Sequence, residues 1–324
     1  MDRLEEITSV LPERLKNTVL NRLENKHIGS NIFINETVVR NGIIYKKLQE
    51  IRLRVNAPFA VIYDNNELFF TDIIVTIDEV RQCLQYISSY SVYAHQEDIK
   101  RGFITLKGGH RAGLAGQAIS DNGRITGQKN ISFINIRVAH ELHGCSDKIM
   151  DFIWKGNILK HTLIISPPGC GKTTLLRDTI RQLSYGMTKS VMQNANAYKG
   201  VRVGVIDERS EIAACYEGVP QNDVGPRTDV LDQACKADGM MLMLRSMSPQ
   251  VIAVDELGGI EDINAVRYLM HCGCIVLATA HGYDFEEISG REEFAGIIEE
   301  HGFSRIIVLS GINGVGQIKE MIEL

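Results

Sequence analysis

The chain has 324 residues, more than one globular core usually accommodates, so its length favours two domains of unequal size. With 44% hydrophobic and 23% charged residues it has the make-up of an ordinary globular protein, which excludes a disordered, collagen-like or disulfide-stapled chain. A formal net charge of -5 supplies no long-range attraction to nucleic acid or anionic lipid, so no nucleic-acid partner is expected.

In chain order, the start Met1-Asp-Arg-Leu-Glu-Glu6 is too charged to form the apolar core of a secretory signal, and an intracellular protein is expected. Leu4, Ile7, Leu11, Leu15, Val19, Leu20 and Leu23 recur at three-to-four spacing, which predicts one amphipathic helix. Short β-rich runs follow at 51–55, 60–63, 68–70 and 73–75, separated by Asn, Pro and Asp, and predict a small antiparallel sheet. Val80, Leu84 and Ile87 return to helical spacing. Residues 107–113 then carry the turn chemistry of a hairpin between 103–106 and 112–118. The alternating run 131–138 reads as one more strand, and Asp147 as the cap of a helix through Ile149, Phe152, Ile153 and Trp154. A small α+β domain therefore occupies residues 1–140.

From residue 141 to 324 the rhythm is strand then helix, with apolar runs at 162–165, 201–206, 251–254, 275–278 and 306–309. Runs without strict alternation fit strands covered on both faces, so this is an α/β domain with a doubly wound parallel sheet. Residues 187–200, rich in Asn, Ser and Lys, read as an exposed insertion. The seven cysteines show no paired C-x-x-C spacing, and Cys272 and Cys274 read as buried core rather than metal ligands. No run approaches the roughly 20 apolar residues of a membrane span.

The strongest chemical signal is Ser166-Pro167-Pro168-Gly169-Cys170-Gly171-Lys172-Thr173-Thr174, which follows a strand and opens a helix. Backbone N–H groups of Gly169, Cys170 and Gly171 would face a β-phosphate, Lys172 would neutralise β and γ oxygens, and Thr173 would hold Mg2+. The consensus for such a loop begins with Gly, so Ser166 is expected to cost about 1 kcal/mol if it keeps a glycine-like backbone. Four apolar residues followed by Asp255 and Glu256 place two carboxylates at the end of a strand beside that loop. Asp255 suits the magnesium shell, and Glu256 suits orientation or deprotonation of an attacking water. ATP and Mg2+ are the implied cofactors, and hydrolysis the implied reaction. Thr279 and His281 end the next strand, where the imidazole either senses the γ-phosphate or is structural. Asp207, Glu208, Arg209 and Glu211 follow another strand and read equally as site residues or as a charged loop. Arg245, shortly before Ser248 and Pro249, is assigned a catalytic role beside Lys172, Glu256 and His281.

Residues 244–258 followed by Ala278-Thr-Ala-His281 resemble the type II and type IV secretion ATPases, with an arginine segment, a Walker B strand and a histidine box. Glu50-Ile-Arg-Leu-Arg54, Gly108-Gly-His-Arg-Ala-Gly113, Asn135-Ile-Arg-Val-Ala139, Arg227-Thr-Asp-Val-Leu231 and Arg245-Ser-Met-Ser-Pro249 together resemble the stage III sporulation AA family, over nearly the whole chain. The resemblance implies a RecA-like P-loop domain and a homo-hexameric motor ATPase on a polytopic membrane protein. It further implies a peripheral position at the cytoplasmic face of the mother-cell membrane, where the motor serves the channel to the forespore. Those secretion ATPases usually have Gly-Glu where this chain has Asp255-Glu256. In the wider family arginines of the N-terminal domain reach the nucleotide, which singles out Arg52, Arg54, Arg111 and Arg137, with strand-surface salt bridges as the other reading. A RecA-like nucleic-acid-binding ATPase is the alternative, since fold alone does not fix function.

Overall fold

The computed structural model describes residues 3–24, 47–121, 123–187, 198–311 and 316–324. The chain divides into two compact units, Met1–His140 and Glu141–Leu324. The first begins with two helices, α1 (Arg3–Thr8) and α2 (Glu13–Glu24), where the spacing predicts one. Pro12 is the reason: it has no N–H to continue a helix and biases Leu11 away from helical backbone, while its carbonyl accepts from Lys16 to start the next one.

Six strands form an antiparallel sheet: β1 (Leu48–Arg54), β2 (Pro58–Tyr63), β3 (Asn66–Ile74), β4 (Phe103–Thr105), β5 (Arg111–Asp121) and β6 (Arg124–Arg137), in the order β3-β2-β1-β6-β5-β4. The two runs expected at 68–70 and 73–75 belong to one strand, β3. Helices α3 (Ile77–Ile87) and α4 (Gln96–Arg101) lie between β3 and β4. Thr76 and Glu79 form a reciprocal capping box at the start of α3, a contribution of about 1 kcal/mol. Ile51 and Leu53 of β1 enter one buried cluster with Leu15 and Val19 of α2 and Val80 of α3. Glu50, Arg52 and Arg54 alternate with them and occupy the opposite face.

The second unit opens with α5 (Asp147–Ile153) and the short pair β7 (Trp154–Lys155) and β8 (Ile158–Leu159). The cap position of α5 belongs to Ser146, not Asp147, and Ser146 makes no side-chain cap there because its hydroxyl is bonded to Asp178. The strands expected from the apolar runs are β9 (Thr162–Ser166), β12 (Val203–Asp207), β14 (Val251–Leu257), β15 (Ile275–His281) and β16 (Arg305–Ser310). Around them lie α6 (Lys172–Tyr185), the pair β10 (Gly186–Met187) and β11 (Tyr198–Lys199), β13 (Thr228–Asp232), α7 (Lys236–Met247), α8 (Ile260–His271), α9 (Phe285–Ser289), α10 (Glu292–Glu299) and β17 (Gln317–Glu323). Of the expected insertion, residues 188–197 lie outside the described residues.

The seven-stranded sheet runs β13-β12-β14-β15-β9-β16-β17 and is parallel except for the β16–β17 pair. Alternate residues of each strand enter two different buried clusters. Leu163, Ile252 and Val276 pack with α7, α8 and α10, whereas Ile164, Val251 and Leu277 pack with α5 and α6. Both faces are therefore covered, and each fully buried Ile or Leu contributes about 1.5–3 kcal/mol. Gly204 of β12 is required by this packing, since a Cβ there would stand 2.6 Å from the Met243 side chain of α7. Cys274 is buried as expected, but Cys272 is exposed, because it caps the C-terminus of α8 ahead of the turn. Among the described residues no helix is long and apolar enough to cross a membrane.

Candidate functional site

The site is assembled at the C-terminal ends of β9, β14 and β15. β9 delivers the loop 166–171 directly into α6. Gly169 and Gly171 have φ of 73° and 88°, a backbone that costs an L-residue about 1–2 kcal/mol, which is why both positions are glycine. Ser166 is different. It is still in β9, buried and paired in register with His281, and it has no positive φ, so the expected strain from its departure from the consensus does not arise. Cys170 is buried in the loop, its sulfur near the Pro168 carbonyl. Lys172, Thr173 and Thr174 form the first turn of α6.

On β14 the pairing with β15 slips between Val254 and Leu257, and the two residues between them are Asp255 and Glu256. Glu256 takes a left-handed φ of 58°, a backbone worth about 1–3 kcal/mol of strain for a non-glycine residue. Thr279 on the neighbouring strand holds this bulge: its hydroxyl accepts from the Glu256 N–H at 2.8 Å and donates to Asp255 Oδ1. Thr173 Oγ1 donates to the other Asp255 oxygen at 2.6 Å. The strand-end carboxylate and the first-turn hydroxyl, 82 residues apart in sequence, are thus in direct contact.

Glu256 is the centre of a second cluster. Lys172 Nζ donates to Glu256 Oε1 at 3.1 Å and lies 3.2 Å from His281 Nε2, which itself contacts the same Glu256 oxygen. Arg209 Nη1 reaches Glu256 Oε2 at 2.5 Å. Burial alone would push the Glu256 carboxyl up, but Lys172, His281 and Arg209 outweigh it and hold it below the usual carboxylate range. Lys172 is 8% exposed, so its ammonium sits in a site where charge interactions are poorly screened.

The acidic segment after β12 resolves into two roles. Asp207 is buried and accepts from the backbone N–H groups of Glu211, Ile212 and Ala213 at 2.8, 3.0 and 2.8 Å. Burial pushes its carboxyl up in spite of those three bonds. Asp207 organises the loop, and Arg177 of α6 fastens the same loop by donating to the carbonyls of Glu211 and Ile212. The loop then presents Arg209 to Glu256. Arg209 was legible only as one charge among four; neither its pairing nor the anchoring role of Arg177 has a local sequence signal.

Arg245 is not brought to this cluster. It is exposed in the last turn of α7, and the chain passes from there into the N-terminal end of β14, so Arg245 lies at the opposite edge of the sheet from Asp255 and Glu256. In the first unit, Arg52 and Arg137 both pair with Glu50, Arg54 reaches Glu67 at 3.8 Å, and Arg111 stacks its guanidinium over Phe103 at 3.4 Å.

The arrangement fits a phosphate ligand and a divalent cation. Glycine-framed N–H groups stand at a helix N-terminus, an ammonium lies beside them, and the Thr173–Asp255 pair supplies hard oxygen donors for magnesium. Fold and loop together define a RecA-like P-loop domain. The profile described as "Sporulation stage III, protein AA" matches residues 24–323, and the chain belongs to that family. It is 36% identical to stage III sporulation protein AA of Bacillus subtilis over 318 residues, 98% of this chain and 94% of that one. The fold is also that of the Legionella pneumophila ATPase DotB (TM-score 0.53, 16% identity, 87% of this chain and 78% of that chain). A crystal structure of the pilus retraction motor PilT with bound ADP is similar to the same degree (TM-score 0.55, 18% identity, 86% and 78%).

Proposed function

We propose that this chain is an ATP-hydrolysing motor of the secretion-ATPase type, working as a homo-hexameric ring. The ring sits on a polytopic membrane protein at the cytoplasmic face of the mother-cell membrane and energises the channel between mother cell and forespore. The observation that carries the hydrolytic part is the 2.6 Å bond between Thr173 and Asp255, with Lys172, Glu256 and His281 clustered beside it. Family membership supports the sporulation setting.

In this reading the loop N–H groups and Lys172 bind the β and γ phosphate oxygens, and Thr173 and Asp255 hold the metal. Magnesium, when bound, supplies positive charge against the phosphates. A carboxylate held low by Lys172, His281 and Arg209 is a poor base. When the γ-phosphate draws Lys172 away, Glu256 loses one of them, its proton affinity rises, and it can align and accept a proton from the attacking water. His281 remains beside it to bond the γ-phosphate. One of the first-unit arginines Arg52, Arg54, Arg111 or Arg137, from this or a neighbouring subunit, supplies the positive charge that offsets what develops on the equatorial oxygens. An arginine in this role is worth about 10³–10⁵ in rate.

Steady-state phosphate release across a protein-concentration series, with oligomer size followed by analytical ultracentrifugation, tests the proposal. Release per chain should rise as the ring forms and then plateau, and Lys172→Ala should abolish it while weakening nucleotide binding. Normal turnover in folded Lys172→Ala protein would sink the hydrolytic assignment. Specific activity that stays flat from monomer to ring would remove the arginines from the mechanism, and a steeply salt-dependent affinity for DNA or RNA would favour the nucleic-acid alternative.

A further inference from the structure

The parallel sheet has a second concave feature, at the edge opposite the P-loop. A cavity of about 570 Å³ is lined by Trp154, Tyr198, Lys199, Arg202 and Arg227, with Asn157 beside them. Its position follows from the topology: Arg202 immediately precedes β12, Arg227 immediately precedes β13, and Trp154 lies in β7, ahead of β9. The P-loop leaves β9 at its other end, five residues on, a distance of about 16 Å along the strand. The two sites therefore share strands but no residue.

Three properties of this cavity are unexplained by packing. The Trp154 and Tyr198 rings stack with centroids 5.1 Å apart, and behind that stack the indole Nε1 and the phenol OH are both buried, closed off from the cavity's open space, with no hydrogen-bond partner among the described residues. Tyr198 is 9% exposed, and an orphaned polar group at such a site costs about 1–3 kcal/mol. Burial, with Asp147 and Asp151 nearby, pushes the phenol up, so it is a donor at neutral pH. Next, none of the three cations has a carboxylate partner among the described residues. Finally, one cation is fixed in place. Arg227 Nη1 donates to the Ser184 carbonyl at 2.7 Å, and a Cβ at Gly200 would stand 2.7 Å from that same nitrogen, so glycine is what lets the guanidinium lie there. Its Nε and Nη2 have no further partner among the described residues.

The wall is thus a flat aromatic pair with three cations, Lys199, Arg202 and Arg227, and the Asn157 and Gln250 amides beside it. Such a site selects an acceptor-rich anion with a planar ring, and the volume is that of a small-molecule site rather than of a single phosphate. We infer that this cavity is a second ligand site, for a nucleotide, which places a base against the Trp154–Tyr198 pair and its phosphate among Lys199, Arg202 and Arg227.

Trp154 is the only tryptophan in the chain, so its emission reports this cavity directly. The full-length protein is titrated with AMP and with GMP while Trp154 emission is followed, and inorganic phosphate and the free nucleosides serve as component probes. A saturable change in emission is expected with a monophosphate, and the Lys199→Ala, Arg202→Ala double variant should raise its Kd about tenfold or more for lost charged contacts, with circular dichroism showing the fold intact. Lys172→Ala should leave that Kd unchanged, which separates this site from the P-loop whether or not the loop hydrolyses ATP. Four results would each overturn the inference: no saturable change up to millimolar nucleotide, equal affinity in the double variant, a response abolished by Lys172→Ala, or inorganic phosphate alone binding as tightly as the nucleotides.

Discussion

Asp207 closes β12, and Asp255 stands near the close of β14, the strand paired beside it, one register step beyond the Ile206–Val254 pair. Both follow a run of buried apolar residues, so the two strand ends present nearly the same signature. Their environments differ completely. After Asp207 the chain folds back and points three backbone N–H groups at its carboxylate, whereas after Asp255 the strand bulges and leaves the carboxylate to two threonine hydroxyls. An acid at the end of a parallel strand is therefore not by itself a metal ligand. The next few residues decide whether its lone pairs are already taken by backbone.

The bulge side of this comparison carries the larger expected effect. Glu256→Gln keeps the Thr173–Asp255 pair and should leave MgATP binding nearly unchanged, while hydrolysis falls by a factor on the order of 10² to 10⁴, the usual loss of a positioned base. Phosphate release set against equilibrium nucleotide binding measures the split; parallel loss of both would make Glu256 structural. At the other strand end, Asp207→Ala removes the acceptor of three N–H groups and should destabilise the fold by about 3 kcal/mol, read as a lowered urea midpoint. A variant with unchanged stability and lost turnover would instead move Asp207 into the chemistry and dissolve the contrast.

Asp178 of α6 calibrates both. It accepts from the Ser146 N–H and hydroxyl at 2.8 Å each and from Arg181 at 2.7 Å, and although burial pushes it up, these bonds prevail and bring it down to about 2. A depressed carboxylate stabilises the fold above its ordinary value near 3.8, and that stabilisation disappears as pH falls towards 2. The expected loss is about 2 kcal/mol across this window, and Asp178→Asn should flatten the acid limb of the stability curve. An acid limb unchanged by that substitution would assign the loss to other groups.

Several elements were readable because their signal is contiguous. The loop 166–174, the apolar strands and the helical spacing of Val80, Leu84 and Ile87 in α3 each sit in one short window. The edge strands β13 and β17 were not legible as strands. β13 contains Asp229 and Asp232, and β17 reads Gln-Ile-Lys-Glu-Met-Ile-Glu, since an edge strand has one side without a neighbour and needs no unbroken apolar run. The amphipathic spacing from Leu4 to Leu23 hid a break at Pro12, because both helices pack into the same cluster and keep a common apolar face. Arg245 misled for a related reason: nearness in sequence to Asp255 says nothing about which edge of the sheet a residue occupies.

The sequence alone determined the P-loop, its lysine and threonine, the carboxylates ending β14, and a parallel sheet with an antiparallel domain ahead of it. These are set by local backbone requirements and by periodicity, which a linear chain records. Only the tertiary structure decided that Thr173 bonds Asp255, that Arg209 rather than Arg245 meets Glu256, and that Trp154, Tyr198, Arg202 and Arg227 surround one cavity. Those relations depend on strand order and register, and parallel strands joined by helical crossovers bring together residues whose separation along the chain carries no periodic trace.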